Sequence, residues 1–131
     1  MKVISWNCRG MGSKVKEEAV RSLIRTETPD ILLVQETKLE DIAFLQASKK
    51  LWMKSEASAI LAQGASGGID TLWNDNKFIV LLEVRNTHWL SLKMQNLDTK
   101  ETFCLFNVYS PVNVRGKKYC WDSIQRQAEL T

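Results

Sequence analysis

Histidine occurs once in the 131 residues, at His88, and cysteine three times, at Cys8, Cys104 and Cys120. An odd set of cysteines without a C-x-x-C spacing argues against a disulfide framework or a cysteine-based zinc site, and for a reduced intracellular compartment. The N-terminal MKVISW lacks the apolar core of roughly 7–15 residues that a signal peptide needs. No apolar run approaches the ~18 residues of a membrane-spanning helix. Charge of one sign is also scarce. Eighteen Lys plus Arg face 15 Asp plus Glu, for a net charge of +3 and a pI near 8.8. That balance tolerates a polyanionic partner without demanding one. Repeats, low-complexity tracts and linkers are absent too, so the length implies a single domain able to bury a real core. The expectation is an intracellular protein, nuclear or cytoplasmic, with no membrane partner.

What is present alternates between strand and helix patterns. Residues 2–6 read as a strand. Ser13 makes a fair N-cap for a helix over 14–27, with Glu17 and Glu18 near its positive end, and Pro29 stops it. Val15, Ala19, Val20, Leu23 and Ile24 are expected on one face of that helix. DILLVQE, residues 30–36, is a continuous apolar run that predicts a strand covered on both faces. Residues 40–51 read as a weaker second helix. MKSEASAI and GIDTLWN then read as strands joined by the loop AQGASGG, and FIVLLEVR, HWLSLKMQ and TFCLFNVY follow through short turns. The tail from 115 is basic and then helical, with Tyr119, Trp121 and Ile124 as candidate packing contacts.

The stretch VISWNCRGMG raises a functional question, because an apolar strand delivers Asn7 to its end and then turns through two glycines. Two parallel strands joined by a helix end at one edge of their sheet. Asn7 ends the first and Glu36 the second. TFCLFNVY brings Asn107 and Tyr109 to a further strand end on one face. Open sheets place their sites outside such ends. One carboxylate with amides and a phenol, and no His–Ser or His–Cys pairing, suits acyl transfer poorly. It suits a hard cation such as Mg²⁺, which takes oxygen ligands, keeps several waters and shares substrate phosphate. Each residue also has a plainer reading. Asn7 is a common turn residue, Glu36 can mark where a strand meets water, and Tyr109 can be a packed aromatic. Gly67 and Gly68 suit a flexible turn or the close approach of a ligand. His88 opens a hairpin strand and is expected at the surface.

Together WNCRGMG, LLVQETKL, ASGGIDTLWN and FNVYSPVN resemble the endonuclease/exonuclease/phosphatase superfamily. More closely, they resemble the endonuclease domain of plant-type non-LTR (LINE) retrotransposons, over residues 1 to about 125. The resemblance implies an α/β fold, a four-layered sandwich of mixed sheets flanked by helices, that nicks DNA with Mg²⁺ or Mn²⁺. It implies Glu36 as the metal carboxylate, Asn7 beside it holding phosphate and catalytic groups, and Tyr109 on the scissile phosphate. Asn107 would support the same edge and be counted among the substrate-binding residues. Gly67 and Gly68 would lie near the substrate backbone.

The chain departs from that pattern in three ways. Arg9 stands where many members have Asp or Asn, so it can reach phosphate but cannot assist a metal. Asp70 interrupts GGIDTLW, where an apolar residue is usual, and is expected to weaken that strand or its assignment. No G-D-x-N motif and no Asp-His pair follow Tyr109, for Asp122 lacks both contexts and His88 precedes it. The expectation is a C-terminally truncated domain over 1–131 with an incomplete second sheet, inactive alone. A different class of reading is a non-catalytic retrotransposon remnant with weak nucleic-acid binding or self-association through an uncovered sheet. A third keeps the fold and changes the substrate to phosphoinositides or sphingomyelin.

Overall fold

The computed structural model describes residues 1–39, 51–63 and 67–131. Its elements run β1 (Val3–Asn7), α1 (Lys14–Glu27), β2 (Ile31–Gln35), β3 (Ser55–Ile60), β4 (Ile69–Asn74), β5 (Phe78–Arg85), β6 (Trp89–Asn96), β7 (Thr102–Val108) and α2 (Val114–Leu130). Strands β1 to β4 form a mixed sheet in the order β1-β2-β4-β3, with β1 parallel to β2 and the other pairs antiparallel. Strands β5, β6 and β7 form an antiparallel sheet of three. The helix expected over 40–51 lies outside the described residues apart from its last position.

Side-chain alternation assigns each strand face to a layer. Ile31, Leu33, Ile69 and Trp73 of the first sheet meet Phe78, Leu90, Leu92 and Met94 of the second. On the other face, Leu32, Val34 and Leu72 pack with Val20 of α1 and with Cys8, Met11 and Leu39 from the loops. β2 is therefore buried on both faces, as its unbroken apolar run predicts. The layers are α1, first sheet, second sheet and α2, an α/β sandwich.

Local chemistry sets the helix ends. The Ser13 hydroxyl accepts from the Lys16 N–H at 3.2 Å, and Thr28 closes α1 in the left-handed region at φ 43° ahead of Pro29. The apolar stripe of α1 is narrower than its sequence suggests. Val15 and Ala19 are exposed, because they sit roughly 100° or more around the helix from buried Val20. α2 also differs from expectation. Tyr119 and Trp121 are 65% and 56% exposed, while Cys120 and Ser123 face the second sheet. Small residues serve there because Trp89 and Phe106 of the sheet already fill the space, their rings 5.3 Å apart. The Trp89 indole N–H donates to the Ser123 hydroxyl at 2.8 Å.

Asp70 does not weaken its strand. β4 runs unbroken, with Asp70 opposite Val34 on one side and Ala59 on the other, and the residue is fully buried. The two long sides of the sandwich differ. Between β3 and β5, Ser58 bonds the Glu83 carboxylate and Arg85 reaches the Ala59 carbonyl. Among the described residues, β1 pairs only with β2 and β7 only with β6. Val3 there is 39% exposed, and Ser5 and Asn7 on the same strand face are exposed with it.

Candidate active site

The C-terminal ends of β1 and β2 lie side by side, with Asn7 in register with Gln35. Pairing then continues beyond the strands through the main chain. The N–H groups of Cys8, Gly10 and Met11 donate to the carbonyls of Gln35, Glu36 and Thr37 at 3.1, 2.7 and 2.9 Å. Thr37 and Lys38 in turn donate to the carbonyls of Gly68 and Gly67 at 3.1 and 2.9 Å. Three loops thus make one floor. Lys16 of α1 anchors the first of them, its Nζ 2.6 Å from the Cys8 carbonyl. The Cys8 thiol beneath is buried, and that burial pushes its pKa up.

Left-handed backbone concentrates on this floor. Arg9, Gly10, Glu36, Lys38, Gly67 and Gly68 all have positive φ. For the non-glycine members such conformations cost of order 1–3 kcal/mol each, and they gather where function holds them in place. At Glu36, φ 54° has a visible result. Leu33 and Gln35 point toward the second sheet, so strict alternation would turn Glu36 the other way. The twist breaks that alternation. The Tyr109 hydroxyl, at the end of β7, donates to Glu36 Oε1 at 2.9 Å. This contact joins the two sheets at their shared edge. The hydrogen bond to Glu36 raises the Tyr109 pKa, with burial and the nearby negative charge adding to it.

The other sequence candidates fall into distinct places. Asn7 is exposed, and its Oδ1 accepts from the Arg9 N–H at 3.3 Å, a local turn that leaves its NH₂ unused by that contact. Arg9 is exposed on the same edge. Asn107 is 1% exposed, one layer below Glu36. Its Nδ2 donates to the Asp70 carbonyl at 3.0 Å, Thr71 Oγ1 at 3.1 Å and the Val34 carbonyl at 3.4 Å, and its Oδ1 accepts from Gln35 Nε2 at 2.9 Å. An amide so committed supports the edge by tying the sheets together; it is not placed to touch a ligand. Gly68 is needed by the chain itself. A Cβ there would lie 2.3 Å from Thr37 Oγ1, at a φ of 87°. Among the described residues, nothing lies within 4 Å of where a Cβ on Gly67 would stand.

Sequence reasoning passed over Gln35 and Thr37 and placed His88 at the surface. Gln35 could have been noticed as the polar residue ending an apolar run. Thr37 carries no signal beyond following Glu36. His88, expected at the surface, is half-buried and offers its carbonyl to the Tyr109 N–H at 2.8 Å.

The arrangement can hold a hard cation through one partly buried carboxylate, with a phenol and an amide at hand. Among the described residues no group of three His, Cys, Asp or Glu side chains converges. The donor set therefore fits an ion such as Mg²⁺, which can use a single carboxylate with water and phosphate, and does not fit a softer ion that needs a protein cage.

Comparison with known proteins identifies the family and the fold. The model of the endonuclease/exonuclease/phosphatase family matches residues 4–123. A mannosyl-6-phosphatase of Bacteroides thetaiotaomicron is 12% identical with a TM-score of 0.80, over 98% of this chain and 59% of its own. A 3′ phosphatase from Neisseria, solved with a product DNA hairpin, is 18% identical with a TM-score of 0.68, over 96% of this chain and 50% of its own. An AP endonuclease of Leishmania major is 17% identical with a TM-score of 0.63, over 84% of this chain and 40% of its own. At such identities the likeness is one of fold, and the chain spans well under two thirds of each structure's length. No curated protein sequence matches the chain.

Proposed function

The chain belongs to the endonuclease/exonuclease/phosphatase family, and from that premise we propose that its strand-end cluster binds a DNA phosphodiester for Mg²⁺- or Mn²⁺-assisted hydrolysis. One observation carries the reading: the 2.9 Å bond from Tyr109 to Glu36 across the two sheets, at the edge where Asn7 also ends its strand. Glu36 would hold the cation, which when bound polarises a phosphate oxygen and stabilises charge on the leaving oxygen.

The chain's own groups do the rest. Tyr109 has a raised pKa and keeps its proton, so it remains a donor. One O–H serves one acceptor at a time, so phosphate gains this contact only when Glu36 gives it up. Asn7 offers its NH₂ to a phosphate oxygen, and Arg9 adds positive charge to the same edge. Gly67, without a side chain, lets a substrate backbone come close. The DNA substrate and a retrotransposon origin of the LINE type rest on the sequence resemblance, and with DNA as substrate the location is nuclear or cytoplasmic.

Turnover by these 131 residues alone is expected near background. Neither a D-x-N nor an Asp-His pair is present to orient the attacking water, and losing one acid–base group typically costs about 10²–10⁴ in rate. The β1 and β7 edges, paired on one side only among the described residues, support a second reading, a binding or self-associating remnant. Fluorescence anisotropy with a short DNA duplex tests the proposal. Binding should require Mn²⁺ and should weaken in Glu36→Gln; binding indifferent to both would overturn it. A supercoiled-plasmid assay should show no nicking above Glu36→Ala. Nicking that vanishes in that variant would show that the residues present suffice for catalysis.

A further inference from the structure

The peptide group between Cys8 and Arg9 is held at both ends by side chains, one of which comes from α1. Its carbonyl accepts from Lys16 Nζ at 2.6 Å. Its N–H donates to Asn7 Oδ1 at 3.3 Å. An N–H needs an acceptor, so only the oxygen of the Asn7 amide can make that contact. The NH₂ is then left for another partner. The direction of one peptide plane therefore decides which half of the Asn7 amide a ligand meets.

Strand pairing does not set that plane. The Cys8 N–H still follows the sheet, bonded to the Gln35 carbonyl at 3.1 Å, and pairing resumes at the N–H groups of Gly10 and Met11. Between them, neither end of the Cys8–Arg9 peptide has a main-chain partner among the described residues. Arg9 follows at φ 53°, a conformation that a residue with a side chain resists. Something must hold the plane against that resistance, and the Lys16 ammonium is the charged group in place to do so. A charged donor makes the stronger hydrogen bond, and it polarises the peptide so that the N–H at the far end also bonds better.

Lys16 is placed for this contact rather than for its helix. It stands in the first turn of α1, where its N–H donates to the Ser13 cap, and a cation there opposes the helix dipole. Long helical side chains lean back toward the N-terminus, which carries this ammonium toward the loop after β1. The Trp6 ring, its centroid 5.7 Å from Nζ, adds a cation–π contact. Trp6 is anchored in turn, packed against the buried cluster that Leu23 and Ile24 of α1 also cover.

We propose that Lys16 is a positioning residue: by fixing the Cys8–Arg9 peptide it turns the Asn7 amide so that its NH₂, and not its oxygen, meets the bound phosphate. The inference rests on the phosphodiester reading above. It gives Asn7 to the anion and leaves the cation to Glu36.

A double-mutant cycle tests it, with the short DNA duplex and Mn²⁺ titrated into the native chain, Lys16→Met, Asn7→Ala and the double variant. Each single change should weaken binding roughly three- to tenfold, the range of one hydrogen bond. In the Asn7→Ala background, Lys16→Met should cost less than about twofold, because Lys16 acts through that amide. A general loss of positive charge would persist there undiminished. In ¹⁵N spectra of the free proteins, the Arg9 amide and the Asn7 side-chain NH₂ should move in Lys16→Met and return toward their native positions in Lys16→Arg. Amides of the second sheet should stay in place in both variants, as they do in a chain that keeps its fold. Equal costs of Lys16→Met with and without Asn7, or an unmoved Asn7 NH₂, would overturn the positioning role and leave the phosphate reading standing. Duplex binding that ignores Asn7→Ala and Glu36→Gln alike would overturn both.

Discussion

Replacing Asn107 by Asp changes a single NH₂ into an oxygen, and the surroundings of that atom allow the consequence to be worked out. The NH₂ faces two carbonyl oxygens, of Asp70 and Val34, at 3.0 and 3.4 Å, and Thr71 Oγ1 at 3.1 Å. An ionised carboxylate there would oppose lone pairs with its own negative charge, away from water. Only the protonated acid can donate as the amide does, so the folded protein would hold the proton well above the ordinary Asp value of about 3.9. A raised folded pKa gives stability that is complete below the unfolded pKa and falls as pH rises. The slope is about 1.4 kcal/mol per pH unit until the folded pKa is passed. Between pH 5 and pH 7 the variant should therefore lose up to about 3 kcal/mol relative to the native chain, a large part of the ~5–15 kcal/mol typical of a domain. Asn107→Ala should lose roughly 2–4 kcal/mol independently of pH, from one buried donor left unsatisfied plus a small cavity. Urea unfolding followed by circular dichroism at pH 5, 6 and 7 measures all three proteins. An Asp variant that tracks the native chain at every pH would mean that position 107 reaches water, and the inter-sheet role assigned to it would be wrong.

Two further outcomes follow from the site and the open edges. Calorimetric Mn²⁺ titration should show weak binding by the native chain and none by Glu36→Gln; equal binding would remove Glu36 from the metal site. Light scattering after size exclusion should show association growing with concentration, through the β1 and β7 edges. A compact monomer at high concentration would contradict that.

What the sequence revealed and what it hid have physical causes. The β1–α1–β2 unit is legible because Ser13, Pro29 and the run from Ile31 to Gln35 each carry a local signal. The alignment of Asn7 with the end of β2 follows from handedness and parallel pairing alone. Tyr109 could be placed at a strand end, but its contact with Glu36 depends on a left-handed φ that a glutamate does not advertise. Asn107 was placed on the correct face. Its burial depends on Gln35, 72 residues away, and no local pattern encodes that. Tyr119 and Trp121 misled because an aromatic on a helix usually packs inward, whereas here the sheet supplies the bulk. β5 forms where FIVLLEVR predicts a strand, and its Ile79, Leu81 and Leu82 are exposed beside a bulge between Val80 and Leu82.

The floor beneath Glu36 is made of peptide groups. Cys8, Gly10, Met11, Thr37 and Lys38 each contribute an N–H, and Gln35, Glu36, Thr37, Gly67 and Gly68 each contribute a carbonyl. Any residue other than proline can supply such an N–H, so inheritance can rewrite much of the wording here without moving the carboxylate. The exceptions are few and identifiable: Gly68, where a methyl group would strike Thr37, and the positions that must tolerate a left-handed turn. A chain 12% identical to this one still overlays it at a TM-score of 0.80. In this chain the position of the acid is written in the main chain rather than in the side chains around it.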